Sequence, residues 1–145
     1  MNIEEIKLKL ALLQEDSKPL FGLMSPQHMV EHLIITFKLS VAKIKIADFE
    51  PTEKQLAQKE ALLNTPMDFP KGIRAPGLPS TLMPLKYKNL EEAMNQLIQS
   101  MEEYEHFFSE KGKSTLHPRF GKMTFEDWNK FHSKHIPHHL SQFNL

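Results

Sequence analysis

The chain has 145 residues and a mass of 16.9 kDa, with 40% hydrophobic and 25% charged residues, which suits one domain with its own core. Cysteine is absent, which excludes disulfides, a thiolate metal site and a cysteine nucleophile. Lys plus Arg equals Asp plus Glu at 18 each, so the broad electrostatic footprint of a nucleic-acid or anionic-membrane binder is missing.

The dominant hydrophobic period is helical. Ile3, Ile6, Leu10 and Leu13 mark a first helix that ends before Pro19. Its N-terminal stretch is charged and lacks the apolar core of a signal peptide, and no run of 18 apolar residues follows, so the expected compartment is the cytoplasm. Ser25 as N-cap and Pro26 at the first helical position open a second helix, expected to reach about Ala47. A shorter helix is expected from about Thr52 to Leu63. Residues 65–88 change texture: Pro66, Pro70, Pro76, Pro79 and Pro84 punctuate an apolar stretch that reads as a strap across two helices or a lid over a site. Lys71 and Arg74 within it suit an anionic ligand or a solvated strap equally. Asn89 and Glu92 form a capping-box pattern at the start of a long helix with a Leu90, Met94, Leu97, Met101, Tyr104, Phe108 stripe. Thr124 caps a last helix running to about Phe143. No strand alternation shows. The expectation is a single all-α domain over residues 1–145, an antiparallel four-helix bundle with a short extra helix and a long Pro-rich loop.

Histidine is unevenly placed. Of 8 in the chain, His106, His117, His132, His135, His138 and His139 fall in the last 40 residues. On the last helix, with Trp128 at the centre of the apolar face, His135 falls at about 340°, His139 at about 20° and Gln142 at about 320°. His132 lies close by. Polar groups at the centre of a buried face must have their hydrogen bonds or charges satisfied. Two imidazoles at i and i+4 aim at one point, and a divalent metal satisfies both; the competing explanation is a buried His/Gln hydrogen-bond network. On the second helix His32, Thr36 and Ser40 form a polar stripe away from the charged sector of Glu31, Lys38 and Lys45, which marks the solvent side. His32 is the natural third ligand, with His28 its rival. Three imidazoles without a fourth protein ligand suit an open site. Gln142 is placed to orient a ligand imidazole, and His138 to support the ligands or pack beside them. Thr36, His117, Trp128 and His132 are candidate pocket residues; no general base is identifiable, since Glu31 reads as solvent-facing and His117 in the HPRFG turn carries no signal beyond its residue type. Pro137, between two proposed ligands, removes a helix hydrogen bond and is expected to kink the helix.

The segment HPRFGKMTFEDWNKFHSKHIPHHLSQF resembles the C-terminal signature of the DinB-like superfamily, and MSPQHMVEHL resembles that family's second-helix motif. The resemblance implies a four-helix bundle with an up-down-down-up connection and a metal site of three histidines, here His32, His135 and His139. Pro137 departs from the common pattern. It further implies a metal-dependent enzyme acting on a small molecule, either a thiol S-transferase with a low-molecular-weight thiol as co-substrate or an isomerase, and an open metal position also suits a hydrolase that uses bound hydroxide. A non-catalytic stress-response or binding protein with a structural metal or His/Gln network is the alternative. Zn²⁺ is the default ion for three imidazoles, and Ni²⁺ and Fe²⁺ also suit them. No nucleic-acid or membrane partner is expected, and a homodimer is left open.

Overall fold

Five helices and one hairpin make up the computed structural model, which describes residues 1–71 and 82–145. Arg74, Pro76 and Pro79, with the middle of the proline-rich stretch, lie outside the described residues. Helix α1 spans Ile3–Leu10, α2 Pro26–Ser40, α3 Glu53–Asn64, α4 Leu90–Phe108 and α5 Phe125–Ser141. Strands β1, Ser114–His117, and β2, Gly121–Thr124, pair antiparallel between α4 and α5. The hairpin corrects the all-α expectation. Its four-residue strands are too short for alternation to stand out, although each buries every second residue.

The helix starts follow from local side-chain chemistry. Ser25 Oγ accepts from the His28 N–H at 3.2 Å, with Pro26 opening α2. Thr52 with Gln55, and Thr124 with Asp127, form complete capping boxes. At α4 the Asn89 side chain accepts from the Glu92 N–H, but the Glu92 carboxylate accepts from Lys88 N–H rather than from the cap residue, so the box is displaced by one residue.

One helix end departs from expectation. Helix α2 stops at Ser40, not near Ala47. Ala42 takes φ 57°, and the Ala42 and Lys43 N–H groups bond back to the Leu39 and Lys38 carbonyls. That is a Schellman closure, with alanine where glycine usually signals one. Helix α5 passes unbroken through Pro137 and ends at Ser141.

Helix α2 packs on α4 and α5, α1 on α4, and α3 on α5, while the hairpin bridges α2 and α5. Met29, Val30, Leu33, Leu97, Met101, Met123 and Trp128 are almost wholly buried among them. A polar chain stitches three elements through this core. Trp128 Nε1 donates to Thr115 Oγ1 at 2.7 Å, and that hydroxyl donates to the Ser40 carbonyl at 2.8 Å. The last carbonyl of α2 is thereby satisfied in a buried setting. No helix among the described residues is long and apolar enough to cross a membrane.

Candidate metal centre

Helix α5 turns one apolar stripe inward, and His135 and His139 sit on it one turn apart. Helix α2 brings His32 to the same point. His32 Nε2 lies 3.1 Å from His135 Nε2, and His139 Nε2 lies 3.0 Å from that same atom. Among the described residues, these three buried histidines form the group of donors close enough to hold one metal ion. Their exposures are 8%, 5% and 7%.

Proton bookkeeping shows how poorly this cluster satisfies itself. Each neutral imidazole nitrogen offers either one N–H or one lone pair. His139 Nδ1 donates to Gln142 Oε1 at 2.8 Å, which leaves the His139 Nε2 lone pair pointing inward. His135 Nε2 then has one position to serve two neighbours, so a single proton cannot fill both contacts well. A cation accepts all three lone pairs at once. Zinc–nitrogen bonds of about 2.0–2.1 Å in a tetrahedral shell set ligand nitrogens about 3.3 Å apart, close to the spacing seen. The Nδ1 atoms of His32 and His135 are buried and have no partner among the described residues.

Electrostatics keep the cluster in its ligating form. Burial pushes His32 down to about 4, helped by repulsion from His138. Burial lowers His139 to about 3, with His32 adding to the effect and the Gln142 hydrogen bond opposing it. His135 is held well below its ordinary value by burial, then by His139 and His32. All three are neutral at pH 7, the state that binds metal.

The other residues singled out from sequence divide. Gln142, 5% exposed, contacts the cluster directly through His139. His138 is half-buried at its edge, between the rings of Phe21 and Phe69. Thr36 lies one turn from His32 and its hydroxyl donates to the His32 carbonyl. His28 is tied to Ser25 at the N-terminus of α2. His117, Trp128 and His132 lie elsewhere. His117 Nδ1 accepts the Arg119 and Phe120 N–H groups and so closes the hairpin turn, and burial lowers its pKa to about 3. Trp128 belongs to the polar chain through Thr115. His132 is stacked on Phe37 at 4.1 Å.

The contacts of Phe69, Glu31 and Lys134 had no sequence signal. Phe69 brings its ring within 5.1 Å of His135, and Phe131, in edge contact with Phe69, lies 4.9 Å from it. Together they cover one side of the His135 ring. Glu31, expected to face solvent, is half-buried and accepts from Gln27 Nε2 and from the Lys86 and Tyr87 N–H groups. Lys134 donates to the carbonyls of Leu62, Thr65 and Met67. The neighbours in sequence of two cluster histidines therefore grip the two ends of the proline-rich stretch.

Residues 8–145 of the chain match the model of a family described as "Protein of unknown function (DUF1569)". No curated protein and no solved structure matches the chain.

Proposed function

The chain belongs to the DUF1569 family, and we propose that it is a DinB-like, metal-dependent cytoplasmic enzyme of the thiol S-transferase or hydrolase type. On this reading α1, α2, α4 and α5 form the up-down-down-up bundle, with α3 and the hairpin as additions. The observation that carries the proposal is the meeting of three buried Nε2 atoms from two helices, with one proton position for two contacts.

His32, His135 and His139 hold the ion, with Zn²⁺ first in order and Ni²⁺ or Fe²⁺ also compatible with three imidazoles. A divalent ion with an open position lowers the pKa of a bound thiol or water, giving a nucleophile near neutral pH. The protein's own residues do the rest. Gln142 fixes the tautomer of His139 by accepting its Nδ1 proton. Phe69 and Phe131 exclude water from the His135 face. Low polarity keeps all three imidazoles neutral.

A structural metal is the competing reading, and it differs in leaving no position for an exogenous ligand. Cobalt(II)-loaded protein titrated with a small thiol separates the two. The enzyme reading predicts a sulfur-to-cobalt charge-transfer band in the near ultraviolet that saturates at one thiol per metal. A cobalt spectrum indifferent to thiol and to pH would leave a closed structural site.

A further inference from the structure

Residues Leu20, Phe21 and Gly22 lie between α1 and α2, against the C-terminal end of α5 and its cap residue Gln142. The Leu20 N–H donates to the Gln142 carbonyl at 2.7 Å. The Phe21 ring lies 5.7 Å from that of His138. Gly22 holds φ +78°, and a Cβ built on it would come 2.9 Å from Gln142 Nε2. The opposite end of that amide, Oε1, accepts the His139 Nδ1 proton at 2.8 Å.

We infer that Gly22 is a positioning residue for His139: its bare Cα lets the Gln142 amide lie between the loop and the imidazole, with Oε1 turned to the ring. The inference rests on the metal-site reading given above. An amide is planar and rigid, so pushing on its nitrogen end moves its oxygen end. A side chain at position 22 displaces Nε2 at little steric cost, because it is the tip of a flexible chain. The loss falls instead on the bond that Oε1 makes to His139. The orientation also matters chemically. Were the amide reversed, its NH₂ would donate to His139 Nδ1, placing the ring proton on Nε2 and removing the lone pair that faces His32 and His135. Leu20 holds the backbone of Gln142 and Gly22 accommodates its side chain, so the loop secures both halves of one residue.

Glycine at a left-handed φ has a simpler explanation, backbone freedom alone, and the test must separate the two. Gly22→Asn keeps a Cβ while tolerating the positive φ; Gly22→Ala carries the Cβ and the strain together. Both are made in the wild-type and Gln142→Ala backgrounds, and zinc affinity is measured by chelator competition at pH 7.5, with thermal melts of the metal-free proteins alongside. The expected result is that Gly22→Asn and Gly22→Ala each weaken zinc by about 10-fold, the usual effect of losing a group that orients a ligand. Neither should weaken it further once Gln142 is alanine. An equal loss in both backgrounds, or a loss confined to Gly22→Ala and tracking its melting temperature, overturns the inference and leaves Gly22 a turn residue. Wild-type zinc uptake no greater than that of His135→Ala would instead overturn the metal site itself.

Discussion

His132 carries two buried ring nitrogens with no hydrogen-bond partner among the described residues. Its ring stacks on Phe37 at 4.1 Å and meets Tyr104 edge-on at 4.9 Å, with Trp128 at 5.6 Å. Burial lowers its pKa to about 3, so it enters this aromatic slot neutral. A neutral imidazole still brings one donor and one acceptor, and each costs about 1–3 kcal/mol when buried unpaired. Phenylalanine keeps the stack and removes both. His132→Phe is therefore expected to raise the unfolding free energy by about 1–3 kcal/mol while leaving zinc affinity unchanged. Denaturant unfolding and chelator competition check the two halves. A destabilised variant would mean that the ring nitrogens are satisfied in a way the packing does not show.

Helix α5 ties together more of the molecule than any periodicity implies. Its Lys134 ammonium binds three carbonyls at and beyond the end of α3, and Phe69, a few residues on, packs against His135. Lys134→Met removes three charge-assisted bonds, each about 1.5–3 kcal/mol at most and less where solvent reaches them. Faster subtilisin cleavage between residues 62 and 71 is expected, with far-ultraviolet circular dichroism preserved. Equal cleavage rates would show that Lys134 does not hold this segment. Thr115→Val tests the chain from Trp128 to Ser40: it strands a buried indole N–H and a carbonyl, with an expected loss of about 2–5 kcal/mol from two unpaired groups.

These contacts also explain what could be read in advance. Helix starts were legible because Ser25, Thr52, Asn89 and Thr124 act on N–H groups three residues away. The end of α2 was not, because alanine occupies the left-handed position at residue 42. His135 and His139 share a face by the helical period alone, and His32 lies on the polar stripe of α2. Phe69, Lys134 and Glu31 act across 55 to 72 residues of sequence, a separation at which neither periodicity nor spacing carries information. The helical period places Glu31 on the charged side of α2, but it cannot show that another segment packs there.

At the scale of the whole molecule, neutral buried histidines make the fold acid-sensitive. His32, His117, His132 and His139 have folded pKa values of about 3 to 4, and His135 lies well below its ordinary value. Unfolded, each returns to about 6.5. The unfolded chain therefore binds more protons, and stability is complete above about pH 6.5 and lost as pH falls toward the folded values. Five such groups give a slope of up to about 7 kcal/mol per pH unit. That exhausts a typical stability of about 5–15 kcal/mol within one or two units. Metal-free protein is expected to unfold near pH 5, with pH-jump circular dichroism as the check. Bound metal protects three of the five and moves the midpoint lower. Coincident curves with and without zinc would place the histidines in a hydrogen-bonded core network.

The central claim, a three-histidine metal centre, is tested most directly by metal content. Protein is prepared without chelators or a nickel column, dialysed against a small excess of zinc, and analysed for metal beside the single variants His32→Ala, His135→Ala and His139→Ala. The account predicts one zinc per wild-type chain, retained through gel filtration, and a large loss in every variant that still folds by circular dichroism. Zinc absent from the wild type, or held equally well by all three folded variants, would contradict it.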